Sequence, residues 1–276
     1  MKNKLLDVID ETIKIIKNGN YTSPNGTLVV IGSARDKLKL DSNKAISTNW
    51  VEKKEDLEII VKNQDSLDAA EELIMEGFRP EDITVLNMAS WRVPGGGVLK
   101  GSRAQEEDIC RRSNLLESIG VGSTVVSKYL GLTYDPYMYP LKEDEQILTI
   151  GVTVFRNSNY ELRERPFRCN ILTASAIQRP TLVRGHLSEN DKELMKRKIR
   201  LILNNSSITK VKVLVLGAFG CGAYGNPPED VAKLFKEILT EETIPKCIER
   251  VVFAILDKKS TDNNLKAFQD VFNNRD

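Results

Sequence analysis

LEIIVKNQDSLDAAEELIMEGFRPEDITVLNMAS (residues 57–90) opens on a short apolar run and closes on another. Between them lie residues with helical apolar spacing, ending at Gly77. Short apolar runs bounded by turn residues read as buried strands, and a strand, helix, strand succession is the parallel crossover unit. The second strand runs straight into WRVPGGGVLKGSRAQEEDICRRSNL (residues 91–115), where three glycines follow a proline and two adjacent glutamates stand at the head of the next helix.

Working outward, helices are expected at residues 5–16, 104–118, 191–206, 227–242 and 263–274. Strands are expected at 27–32, 146–156, 169–176, 211–220 and 250–257. Residues 120–168 read least clearly and include TYDPYMYP (residues 133–140), a turn-rich aromatic segment. No linker or repeat divides the chain. The expectation is a single α/β domain over residues 1–276: a mixed β-sheet flanked by helices on both faces, with an N-terminal helical extension.

Composition narrows the function. Hydrophobic residues make up 41% and charged residues 29%, ordinary for a globular protein, and the net charge is +1. A chain that grips nucleic acid is usually more basic, so no sequence-specific nucleic-acid binding is expected. The N-terminal segment carries acids where a secretory signal needs an unbroken apolar core, and no window is long and apolar enough for a membrane span. The expected location is cytoplasmic, with no membrane partner. Cys110, Cys169, Cys221 and Cys247 are far apart and form no CxxC pair. His186 is the single histidine and reads as an exposed loop residue. No metal and no cofactor are expected.

Gly95, Gly96 and Gly97 fall between a strand end and a helix start, the place where open α/β sheets bind ligands. A second loop of this type, VLVLGAFGCGAYGNPPEDVA (residues 213–232), again runs strand, glycines, helix, with Asn226 as the expected helix cap. Bare N–H groups in such a loop can cradle a diphosphate, although the Lys-Ser/Thr pair of a Walker loop is missing. Two glycine loops suit an elongated ligand with phosphates in its middle. Glu106 and Glu107, as helix neighbours, cannot flank one bond from opposite sides as most glycosidase carboxylates do. One must therefore carry most of the chemistry while the other positions substrate.

PGGGVLKGSRAQEE (residues 94–107) resembles the GGG…QEE signature of poly(ADP-ribose) glycohydrolases. VLNMASWRVPGGG (residues 85–97) and LGAFGCGAYGNPPEDVA (residues 216–232) resemble the shorter, bacterial-type branch, a macrodomain. The resemblance implies hydrolysis of the ribose–ribose O-glycosidic bond of poly(ADP-ribose), releasing ADP-ribose, without metal. It makes Glu107 the general acid and then base, and Glu106 the residue that orients the substrate ribose. Asn87, Gly95, Gly96, Gly97, Val98 and Gln105 would bind substrate. Gly220, Cys221, Gly222 and Ala223 would form the diphosphate loop, with Tyr224 packed on the distal ribose. Ser90 receives no role. The expected partners are poly(ADP-ribose) or an ADP-ribosylated macromolecule. The expected protein is a monomer that reverses ADP-ribosylation in the DNA damage response and trims polymer from its end. Alternatives are a reader of ADP-ribose without turnover, or a hydrolase of mono-ADP-ribosylated protein or nucleic acid.

Overall fold

In chain order the elements are α1 (Lys2–Asn18), β1 (Asn20–Thr22), β2 (Leu28–Val30), β3 (Lys37–Leu40), β4 (Trp50–Val51), β5 (Glu58–Lys62), α2 (Ser66–Met75), β6 (Ile83–Met88), α3 (Gln105–Arg112), α4 (Leu115–Ile119) and α5 (Thr124–Leu130). They continue with β7 (Gln146–Arg156), β8 (Leu162–Ala174), β9 (Leu182–Val183), β10 (His186–Leu187), α6 (Glu189–Ser206), β11 (Val213–Leu216), α7 (Pro228–Glu241), β12 (Ile244–Pro245), β13 (Arg250–Ala254) and α8 (Asn264–Asn273). This computed structural model describes residues 2–34, 36–42, 50–51, 56–241, 244–257 and 263–273. Glu242 and Asn274, the last residues of two expected helices, lie outside the described residues.

Seven strands form the central sheet in the order β3-β7-β8-β6-β11-β13-β5. β8, β6, β11, β13 and β5 are mutually parallel, and β7 runs antiparallel between β3 and β8. The crossover from β5 through α2 to β6 is the one expected. It skips two places in the sheet, which β11 and β13 later fill.

Strand alternation sends side chains to opposite faces. Ile83, Val85, Ile147, Ile171, Val213, Val215 and Val252 join one core with residues of α1 to α5. Leu86, Leu148, Leu172, Leu214, Leu216, Val251 and Phe253 join the other, beneath α6, α7 and α8. Both sheet faces are therefore dry. α1 lies on the first face, where buried Thr12 donates Oγ1 to the Arg111 carbonyl at 2.7 Å. Among the described residues no helix is long and apolar enough to cross a membrane.

Three expectations need correcting. The strand at 27–32 stands outside the central sheet, as β2 of a small hairpin with β1. The strand expected from residue 169 begins at Leu162. The helix expected at 104–118 is two helices, because Ser113 is extended (φ −141°, ψ 174°) and bridges to Val154. Asn114 holds the break, donating Nδ2 to the Gly32 carbonyl at 2.7 Å and accepting the Thr153 N–H at 2.8 Å.

Candidate active site

β6 and β11 are parallel neighbours, so their carboxyl ends open on the same side of the sheet. The triple glycine follows β6 and the second glycine loop follows β11. The loop after β8, the other neighbour of β6, reaches the same crevice with Gln178 and Arg179. Here open α/β sheets take their ligands.

The acids are held from four directions. Glu106 accepts the Ser90 N–H at 2.7 Å on Oε2 and the Gly95 N–H at 3.0 Å on Oε1. Glu107 accepts the Gly97 N–H at 2.8 Å on Oε1 and the Ala104 N–H at 2.8 Å on Oε2. The Ala104 bond makes Glu107 half of a capping box, closing the first turn of α3 with its own side chain. Each carboxylate oxygen keeps lone-pair capacity beyond its backbone partner. Both residues are buried, at 3% and 7% exposed.

Gly96 explains the triple glycine. Its φ is +55°, and a Cβ there would stand 2.6 Å from Glu107 Oε1 and 2.9 Å from Glu106 Oε2. The two carboxylates occupy the space a side chain would need. The directions that Cβ atoms on these glycines would take are filled by the protein. At Gly95 the neighbour is Leu116, and at Gly97 it is Ser102. Gly222 behaves differently, since nothing stands within 4 Å of its Cβ direction. That loop is open to an incoming ligand.

Burial pushes the Glu106 carboxyl up to about 8, with the nearby charge of Glu107 adding to it. The Ser90 and Gly95 N–H groups pull the other way and are outweighed. The lower face of Glu106 meets Asn87, which is fully buried and donates Nδ2 to Thr173 Oγ1 at 3.2 Å. Burial raises the Cys221 thiol to about 12, so it meets the crevice as a neutral group.

The structure brings the expected residues together in three layers. Gln105 binds the frame: its Oε1 accepts the Met88 N–H at 2.9 Å, and its Nε2 donates to the Leu86 carbonyl at 2.6 Å. Val98 and Asn87 are buried beneath the crevice. Gly220 faces Ala176 and Asn226, while Cys221, Gly222, Ala223 and Tyr224 form the outer lip. Asn226 does not cap α7 through its side chain as expected. Its Nδ2 closes the loop on the carbonyls of Ile177 and Gly220, at 2.7 and 3.0 Å. His186 is exposed, with Nδ1 2.9 Å from Asp230 Oδ1.

Sequence reasoning missed four contributors. Ser90 supplies an N–H to Glu106, and its Oγ accepts the N–H groups of Arg92 and Val93. Trp91 donates its N–H to Tyr224 Oη at 3.1 Å, tying the two glycine loops together. Gln178 accepts the Trp91 indole N–H at 2.8 Å. Tyr139 is buried with its hydroxyl unpaired among the described residues. Burial, with Glu106 nearby, raises its phenol well above the ordinary value. An unpaired aromatic cluster in TYDPYMYP and a tryptophan beside a glycine loop were the available signals.

Paired carboxylates set into the ligand crevice of a macrodomain-like sheet fit a glycosidase better than a bare binding module. A sequence model of the microbial-type PARG catalytic domain matches residues 9–157, and the chain belongs to that family: it carries a poly(ADP-ribose) glycohydrolase catalytic domain of the microbial type. Its structure is similar to the poly(ADP-ribose) glycohydrolase of Thermomonospora curvata bound to the inhibitor ADP-HPD. That match has a TM-score of 0.81 and 28% identity over 98% of this chain and 100% of the other. The enzyme of Deinococcus radiodurans in complex with ADP-ribose matches at a TM-score of 0.63 and 28% identity, over 79% and 84%. An uncharacterized protein of Thermococcus kodakarensis is 32% identical over 84 residues. This match takes in 30% of the chain and spans 47% of that relative's length.

Proposed function

We propose that the chain hydrolyses the ribose–ribose O-glycosidic bond of poly(ADP-ribose) and releases ADP-ribose, with residues 1–276 working as one domain. The observation that carries this reading is the fixing of both carboxylates at the end of β6, beside the glycine loop after β11, which is open at Gly222. Glu107 protonates the oxygen leaving the distal ribose as an oxocarbenium-like centre develops, then takes a proton from the attacking water. Glu106, held neutral at neutral pH by its burial, orients the ribose hydroxyls. Gly220, Cys221, Gly222 and Ala223 receive the diphosphate, whose charge stabilises the cation, and Tyr224 packs on the distal ribose. Asn87, Val98 and Gln105 act from beneath, by fixing the acids and the loop. No step uses a metal.

The same reading makes the protein a cytoplasmic monomer that reverses ADP-ribosylation after DNA damage, without membrane or sequence-specific nucleic-acid contacts. The net charge of +1 supports the last point. The test offers automodified polymer and mono-ADP-ribosylated protein side by side, in EDTA, and identifies the product. Free ADP-ribose from the polymer is expected. Binding without release would make the chain a reader. Loss of activity in EDTA, restored by a divalent ion, would overturn the metal-free mechanism.

A further inference from the structure

A bond between two units of the polymer has a second nucleotide on its leaving side. The oxygen that departs belongs to the adenosine of the neighbouring unit, so a purine lies within a sugar's length of the acids. The rim beside them carries an aromatic plane that takes no part in the acid chemistry. Trp91 is 38% exposed, yet it is held at three points. Its N–H donates to Tyr224 Oη at 3.1 Å, its carbonyl accepts the Leu141 N–H at 2.7 Å, and its indole Nε1–H donates to Gln178 Oε1 at 2.8 Å. The residue before it, Ser90, donates to Glu106. The Trp91 backbone thus stands one residue from the support of the acids and one hydrogen bond from Tyr224, and its indole is held by Gln178.

Exposed aromatic rings are normally mobile, and ordering them weakens binding. This ring is ordered in advance by its bond to Gln178, and the residue stays partly open to solvent. Two arginines adjoin Trp91 and its partner Gln178 in sequence. Arg92 follows in sequence and is exposed, and Arg179 follows Gln178 and is also exposed. The Arg179 backbone is tied to the second glycine loop through its N–H to the Tyr224 carbonyl at 3.0 Å, with a left-handed φ of 55°. Neither guanidinium has an ion-pair partner among the described residues. An ordered indole with two exposed arginines on the segments that carry and hold it matches an adenosine joined to a diphosphate.

We propose that Trp91, oriented by Gln178, forms with Arg92 and Arg179 a subsite for the adenosine diphosphate of the unit on the leaving side of the bond, and that it favours polymer over single ADP-ribose modifications. This rests on the reading that the distal ribose lies at Glu107 and Tyr224. Base–aromatic stacking corresponds to roughly 5- to 150-fold in affinity.

The experiment uses Glu107→Gln protein, to prevent turnover, and compares binding of ADP-ribose, the ADP-ribose dimer and an ADP-ribosylated oligonucleotide by calorimetry. The dimer is expected to bind about tenfold tighter than ADP-ribose. Adding Trp91→Ala brings the ratio of dimer to ADP-ribose affinity to about one, whereas Trp91→Tyr retains most of the advantage. Gln178→Ala, which leaves the ring in place but frees its edge, gives an intermediate loss. A dimer advantage that survives Trp91→Ala overturns the proposal. So does the absence of any advantage in a protein that binds ADP-ribose normally, or an advantage confined to the oligonucleotide. Failure of Glu107→Gln to bind ADP-ribose, or continued cutting by it, would instead strike the catalytic reading on which the subsite depends.

Discussion

Glu106 and Glu107 are adjacent in sequence and unlike in surroundings. Glu106 points down between β6 and the glycine loop, beside Asn87 and the Tyr139 hydroxyl, while Glu107 closes the first turn of its own helix. The motif and its place at a helix start were legible in the sequence. The four N–H partners were not, because they depend on the loop turning back over α3. A pH dependence follows. With an ordinary value of 4.5 and a folded value of about 8, Glu106 keeps in the folded protein a proton that the unfolded chain has released. Stability therefore falls as pH rises between these limits and is level on either side. Urea unfolding across this range should show a slope for the wild type that Glu106→Gln lacks. A protonated-carboxyl infrared band should fade near pH 8 and be absent from the variant. Parallel stability profiles for the two proteins would mean that Glu106 is ionised throughout.

At the scale of elements, the glycine loops divide by what fills them. A valine at position 222 meets open space at a φ that is not left-handed, so Gly222→Val should fold normally and lose ADP-ribose affinity. Unchanged affinity in calorimetry would remove this loop from the site. Gly96→Ala acts from within, pushing a methyl into the Glu107 and Glu106 carboxylates. A misplacement near 1 Å costs about 10²-fold in rate, and hydrolysis should fall by at least that. The docking of α3 on α2 rests on Arg112, which is fully buried against Asp65 at 2.7 Å, Asp68 at 2.5 Å and Asp108 at 3.0 Å. Burial lowers its affinity for a proton, but the three carboxylates outweigh this and raise it. Asp65 also caps α2 through the N–H groups of Leu67 and Asp68. Arg112→Ala strands this cluster and should destabilise the fold by about 3–5 kcal/mol in chemical denaturation. A loss under about 1 kcal/mol would show that water replaces the guanidinium. The helix break at Ser113 escaped sequence reading because an apolar helical pattern continues through it; long-range bonds from Asn114 impose it.

For the molecule as a whole, the alternation of strands and helices was readable because β6, β11 and β13 are apolar and buried on both faces. Residues 120–168 resisted because their position is set by contacts far away in sequence, such as the Leu141 N–H on the Trp91 carbonyl. We predict end-trimming, the mode that the resemblance to the bacterial-type branch implies. Time-resolved sizing should show free ADP-ribose from the first point while long polymer shortens gradually; early mid-length oligomers with little monomer would mean internal cutting. Beneath every such property lies the assignment of acid chemistry to Glu107. The most direct measurement pairs ADP-ribose calorimetry with release of ADP-ribose from polymer for wild type and Glu107→Gln. Binding should be retained while release drops by ~10²–10⁴-fold; near wild-type release by the folded variant would contradict the mechanism.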